Sequence, residues 1–185
     1  MKIAIKDIAV IQTGLFGKPI GKGDIVYLQA KHFDENGRLR AFLHPDLKAD
    51  NITEKHLLRT GDVLFAAKGS KNFAAVFEQH NEPAVASTSF FVIRLTDNSI
   101  LPEYLAWFLN SHSTQNFLKA QAIGTSIPSI SKTVLTDLEI PTPSIKTQRA
   151  IVQISNLRNS EKKLLQQIDS LREKQIQQQI LNAII

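Results

Sequence analysis

The sequence predicts a mixed α/β domain followed by one long helix that needs a partner. Short apolar runs bounded by Gly, Asn and Pro recur through residues 2–95, the pattern of strands joined by turns. Two segments, Pro102–Asn110 and Ser113–Ala122, have helical length and spacing. From Gln148 to Ile184 there is no Pro and no Gly, the residues most hostile to a helix interior.

Taken in order, Lys2–Val10 alternates apolar and polar residues and opens into a glycine-containing loop, 12–23. Asp24–Phe33 reads as a strand and Asp34-Glu35-Asn36-Gly37 as a turn. Arg38–Leu43 is then the returning strand, since Asn-Gly between such runs is a strong hairpin signal. Val63–Ala67, Phe73–Phe77 and Ser89–Leu95 are further strands. Pro102 suits a helix entry and places Tyr104, Leu105, Phe108 and Leu109 on one face. The second helix stops at Gly124, a residue suited to the position after a helix end. Phe90, Phe91, Trp107 and Phe108 have strand and helix spacing, which favours core over a base-stacking platform.

The stretch Ile140-Pro141-Thr142-Pro143-Ser144-Ile145 divides the chain into a domain at 1–143 and a helix at 144–185. From Gln148 onward that helix would run roughly 55 Å. Its stripe comprises Ile151, Ile154, Leu157, Leu164, Ile168, Leu171, Ile176, Ile180 and Ile184, at spacings of mostly three or four with two gaps. One domain cannot cover so long a stripe, so its members from Ile151 to Ile180 are candidate dimerisation residues.

Composition narrows the classes. The chain has 185 residues, 43% of them hydrophobic, enough for a packed core. It has no cysteine, which excludes disulfides, Cys-ligated zinc and a thiol nucleophile. No apolar run approaches the roughly 20 residues that span a bilayer. Charges at Lys2, Lys6 and Asp7 come too early for a signal peptide, so the expected location is the cytoplasm.

Net charge is +5, a lean toward polyanionic partners. Three stretches lack carboxylates: Ile8–Lys22 with Lys18 and Lys22; Val63–Phe77 with Lys68, Ser70, Lys71 and Asn72; and Tyr104–Thr136 with Lys119, Gln121, Thr125, Ser126, Ser129, Ser131 and Lys132. They matter only if the fold brings them together.

The search for catalytic patterns finds none. The glycines at 14, 17, 21 and 23 do not have phosphate-loop spacing, and the five histidines form no i,i+4 pair. Pro45-Asp46-Leu47-Lys48 superficially resembles part of a nuclease metal motif but lies in a polar, Pro-containing stretch. A small metal-dependent nuclease using Asp46, Asp50, Glu54 and Asp62 is one alternative. A purely helical scaffold protein is another.

The order of segments resembles the specificity (S) subunit of type I restriction–modification systems. The resemblance rests on Gly61-Asp62-Val63-Leu64-Phe65-Ala66-Ala67-Lys68-Gly69-Ser70, Ala86-Ser87-Thr88-Ser89-Phe90-Phe91-Val92-Ile93 and Pro102-Glu103-Tyr104-Leu105. It continues through Gly124-Thr125-Ser126-Ile127-Pro128-Ser129-Ile130-Ser131-Lys132 to Leu138-Glu139-Ile140-Pro141, Gln148 and the long helix. It implies a target-recognition domain with a mixed-sheet or barrel-like core, and a helix that forms a coiled coil with a partner. One copy of each suggests a half-length form that dimerises. No catalytic residue or cofactor is expected in this chain: methyltransferase (M) subunits would bind S-adenosylmethionine, and restriction (R) subunits would cleave. Candidate contacts to double-stranded DNA are Lys18, Lys22, Lys68, Ser70, Lys71, Asn72, Thr125 and Ser126.

Overall fold

The computed structural model describes residues 1–34, 37–40, 43–49, 52–69, 71–78, 83–124 and 128–184. Among them the order is β1 (Lys2–Ala4), α1 (Ile5–Ile8), β2 (Ala9–Thr13), β3 (Val26–Leu28), β4 (Val63–Ala66), β5 (Ala74–Val76), β6 (Ala84–Ala86), β7 (Phe90–Leu95), α2 (Pro102–Asn110), α3 (His112–Ala120), α4 (Lys132–Thr136), β8 (Glu139–Pro141) and α5 (Ile145–Ile184).

An antiparallel sheet in the order β2-β7-β4-β5 forms the middle layer. Alternation within β4 shows how it is covered. Val63 and Phe65 join a core with Leu105, Leu109 and Leu118 of α2 and α3. Leu64 and Ala66 face the other way, into a cluster with Val26 and Leu28 of β3 and Ala84 and Ala86 of β6. Both faces are thus buried, which explains the unbroken apolar run in the sequence. Phe33, Phe73 and Phe90 fill the second core, with ring centroids 5.5, 5.6 and 6.0 Å apart. The core reading of the aromatics holds: Phe90 is buried, Phe91, Trp107 and Phe108 pack on the helix-side core, and Trp107 stacks on Tyr104.

Several elements differ from the sequence expectation. Lys2–Val10 is not one strand, because the helical turn α1 breaks it and buries Ile5 and Ile8. The break lets β1 pair with β8 while β2 pairs with β7 in the larger sheet. Within Asp24–Phe33 only Val26–Leu28 forms a strand, paired parallel with β6, and a 3-10 turn takes Ala30–His32. Among the described residues the expected hairpin is reduced to a Phe33–Leu39 bridge, with Gly37 at φ 72°. Glu35, Asn36, Ala41 and Phe42 lie outside those residues. α3 ends at Ala120, with Gln121 right-handed, so Gly124 (φ 110°) turns the chain after the helix and does not cap it. Short β6, β8 and α4 carry too few residues to show a period.

The joint between domain and α5 is built on Gln148, which is fully buried. Its Oε1 accepts from the Leu101 N–H at 2.9 Å. Its Nε2 donates to the carbonyls of Ser99 at 2.7 Å and Pro143 at 2.9 Å. Every polar atom of the amide is therefore used. Ile151 and Val152 pack against the helix-side core one turn later. With 40 residues, α5 runs about 60 Å, most of it free of the domain. Gln148→Leu keeps volume but strands one donor and two acceptors. The expected loss is roughly 2–4 kcal/mol in denaturant unfolding, against less than about 1 kcal/mol for a change at exposed Gln166.

Candidate nucleic-acid interface

One end of the middle sheet gathers the three carboxylate-free stretches. β2 finishes there at Thr13 and β4 at Ala66, while β7 starts there at Phe90 and β5 at Ala74. In an antiparallel sheet the connections after β2, before β7 and between β4 and β5 must then leave from the same edge.

Backbone hydrogen bonds tie these connections together. The Gly14 N–H donates to the Phe90 carbonyl at 3.0 Å and Leu15 N–H to Ala86 at 2.9 Å. The Ala67 N–H reaches the Ser89 carbonyl at 2.9 Å. From the third stretch, the Ile130 N–H donates to Ala67 at 2.9 Å, and the Gly69 N–H to Pro128 at 3.0 Å. Lys68 forms a bridge with Ser129, which also bridges Ile123.

The first loop is anchored at several points. The Tyr27 hydroxyl accepts from the Gly17 N–H and donates to the Leu15 carbonyl, both at 3.1 Å. Further on, Ile20 N–H donates to Asp46 at 2.7 Å and Gly23 N–H to Pro45 at 3.0 Å. Gly14 has no room for a side chain: a Cβ would lie 2.1 Å from the Ser87 carbonyl oxygen.

Of the candidate contacts, Lys18, Lys22, Lys68 and Lys71 are exposed on these loops. Asn72 is turned inward, its Nδ2 donating to the Ala66 carbonyl at 2.9 Å, so it braces the loop. Ser70, Thr125 and Ser126 lie outside the described residues. Sequence reasoning missed Lys31 and Arg40, which with Lys71, Asp34, Ala30, Phe33 and Phe73 line a groove of about 620 Å³. Both sit in the acid-rich part of the chain, where a filter for carboxylate-free stretches passes over them. Yet Asp34 Oδ1 accepts from the Arg38 N–H, and Arg40 Nε holds the Phe33 carbonyl at 2.8 Å. Burial, then Lys31, lowers the His32 pKa, so its Nδ1 remains an acceptor for the Gln29 N–H at neutral pH.

Two of the four carboxylates of the nuclease alternative, Asp62 and Asp46, have structural work. Asp62, 2% exposed, takes Arg94 Nε at 2.8 Å and Nη2 at 2.6 Å, and also accepts from the Arg59 N–H. Asp46 Oδ1 accepts from the Tyr27 N–H at 3.0 Å. Glu54 starts a 3-10 turn, Glu54–His56, and Asp50 lies outside the described residues. Among those residues no group of three or more His, Cys, Asp or Glu could hold a metal. No described helix is long and apolar enough to cross a membrane.

On α5 the candidate dimerisation residues do not share one line. Ile151 is taken by the domain core. At 100° per residue, Ile154, Leu157, Leu164, Ile168 and Leu171 fall within about 100° of arc, facing away from the domain side marked by Gln148, Ile151 and Val152. These five are 43–71% exposed. Ile176, Ile180 and Ile184 centre about 130° further round, on the domain's side of the rod. The five-residue step from Leu171 to Ile176, a net turn of about 140°, is where this rotation enters.

Comparison with known proteins agrees with the geometry. The family model of the type I restriction modification DNA specificity domain matches residues 1–181, and the chain belongs to that family. It is 30% identical over 115 residues to the type I restriction enzyme MjaX specificity subunit of Methanocaldococcus jannaschii, covering 59% of this chain and 26% of that one. Against the HindI specificity subunit of Haemophilus influenzae it is 28% identical over 121 residues, covering 61% and 26%. The fold matches the S subunit from M. genitalium with a TM-score of 0.58 at 20% identity, covering 86% of this chain and 39% of that one. The HsdS subunit from Thermoanaerobacter tengcongensis gives 0.62 at 18%, covering 87% and 37%. A chain from a structural study of type I R-M complex assembly and conformational transition gives 0.68 at 17%, covering 96% and 43%. The matched part is thus about a quarter of the curated relatives' length.

The glycines give a test of loop seating. Gly14→Ala should destabilise by roughly 1–3 kcal/mol in chemical unfolding, because the added carbon meets backbone. Gly21→Ala, with nothing within 4 Å, should stay within about 1 kcal/mol of the parent.

Proposed function

We propose that this chain is a sequence-specific DNA-binding specificity subunit of a type I restriction–modification system, reading one half-site per chain. The observation that carries the reading is the backbone-bonded cluster of lysine-bearing loops at one end of the middle sheet. Exposed lysines there would bind phosphates without regard to sequence, while loop side chains read base edges. Family membership supports the reading, and both curated relatives are named specificity subunits.

In this reading residues 1–143 form the target-recognition domain and 144–185 the spacer. The five-residue stripe from Ile154 to Leu171 is covered by the same stripe of a second copy, running antiparallel. That arrangement pairs Ile154 with Leu171 and Leu157 with Ile168 across the two-fold axis. It puts one reader at each end of the helix pair, and a two-fold dimer of readers calls for a two-fold target. Methyl transfer and cleavage belong to M and R subunits. The other apolar face, at Ile176, Ile180 and Ile184, remains available for an M subunit.

Both halves of the reading can be measured on the full chain. Titration of a mixed-sequence duplex across a salt series should give a linear fall of log affinity with log salt, and Lys68→Ala should make the slope shallower by about 0.9 if its phosphate contact is lost. An unchanged slope removes Lys68 from the interface; no duplex binding at any salt contradicts the reading. In sedimentation, the parent chain should be a dimer, and Leu164→Glu with Ile168→Glu should yield a folded monomer. A parent that stays monomeric at high concentration excludes the helix pair.

A further inference from the structure

Apart from Met1 and the free rod of α5, the most exposed large apolar side chains among the described residues are Phe16 at 85% and Ile123 at 73%. Both lie in the loops gathered at the lysine-bearing end of the sheet. An isolated exposed apolar residue is ordinary on a protein surface. Phe16 differs because its exposure is imposed by the backbone around it.

The residues on either side of Phe16 are held by one side chain. Tyr27 binds the Leu15 carbonyl and the Gly17 N–H through the same hydroxyl, at 3.1 Å each. Leu15 N–H and Gly14 N–H are bonded to Ala86 and Phe90, and Gly17 lies so close to Leu47 that a Cβ would approach its side chain to 2.8 Å. A loop fastened in this way holds the Phe16 backbone in place, with its ring 85% exposed. The ring is therefore presented to solvent, in a stretch without carboxylates and two residues from exposed Lys18.

A presented phenyl ring among lysines suits a ligand that is anionic outside and apolar within. Duplex DNA is such a ligand: phosphates line the grooves, and the thymine methyl is the apolar group on the major-groove floor. An acidic protein surface would offer the charge but would not need loops bonded into one platform. Resting on the reading of this end as the DNA-binding face, we propose that Phe16 is a specificity-determining base contact, packing its ring against a thymine methyl in the major groove while Lys18 holds the adjacent backbone.

The test is affinity selection by the full chain from a pool of duplexes with a randomised segment, using the parent, Phe16→Ala and Lys18→Ala. The parent should enrich a motif containing a fixed thymine that Phe16→Ala no longer selects. At that position, replacing thymidine by deoxyuridine, which removes one methyl, should weaken the parent roughly 3- to 10-fold and leave Phe16→Ala unaffected. Lys18→Ala should weaken all duplexes alike and keep the motif. Since Phe16 is exposed, the Phe16→Ala protein should unfold at the parent's temperature, which separates lost contact from lost fold. Identical motifs and affinities for parent and Phe16→Ala overturn the Phe16 proposal alone. A lost position that is insensitive to deoxyuridine overturns the thymine-methyl contact. If the parent enriches nothing, the assignment of this face as a sequence reader falls, and the proposal with it.

Discussion

The carboxamide of Gln148 is the joint on which the arrangement depends. A buried amide with no partner would cost several kcal/mol, so its occurrence in the first turn of α5 needs compensation. It receives this from Leu101, Ser99 and Pro143, the segments just before α2 and just before α5. These bonds have a direction, which apolar packing lacks. They fix the helix in rotation as well as in position, and so determine which side of the rod faces the domain and which faces away. In the proposed dimer, that fixed rotation is what would let the helix pair set a separation between two readers.

The lysine-bearing end follows a related logic at the level of the sheet. Residues as far apart as Ala67 and Ile130, or Leu15 and Ala86, meet because antiparallel strands return their loops to one edge. The charge there is modest, and the fold concentrates it. Phosphate contacts give affinity that falls with salt and carries no sequence information; base contacts give the reverse. In the proposed reading the loops make both kinds of contact and chemistry is left to other subunits. The carboxylates nearest to a catalytic pattern are absorbed by folding: Asp62 neutralises Arg94 within the fold, and Asp46 fastens Tyr27.

Much of the fold was legible where one signal was strong and local. The Pro-started helix Pro102–Asn110 has the bounds the sequence predicted, and the Pro- and Gly-free C-terminus gave a 40-residue helix. What the sequence concealed depended on tertiary context. The turn Ile5–Ile8 is set by a switch between sheets, and β6 is three residues whose strand character comes from pairing with β3. The site divided in the same way. Lysine stretches were visible as charge patterns, whereas Lys31 and Arg40 join Lys71 only through the fold. Asn72 lies in a lysine-bearing stretch, yet its amide is committed to the Ala66 carbonyl, a bond that spacing alone does not reveal. The nine apolar positions of α5 read as one stripe in spacing, but the rotation per residue separates the last ones from the rest.

The central claim is that two identical readers, held apart by paired helices, face one duplex. It is tested most directly by co-expressing this chain with its methyltransferase subunit and mapping every methylated base in the host DNA. The account predicts a palindromic motif interrupted by a fixed unspecified spacer. An asymmetric motif, or one without a spacer, would contradict it.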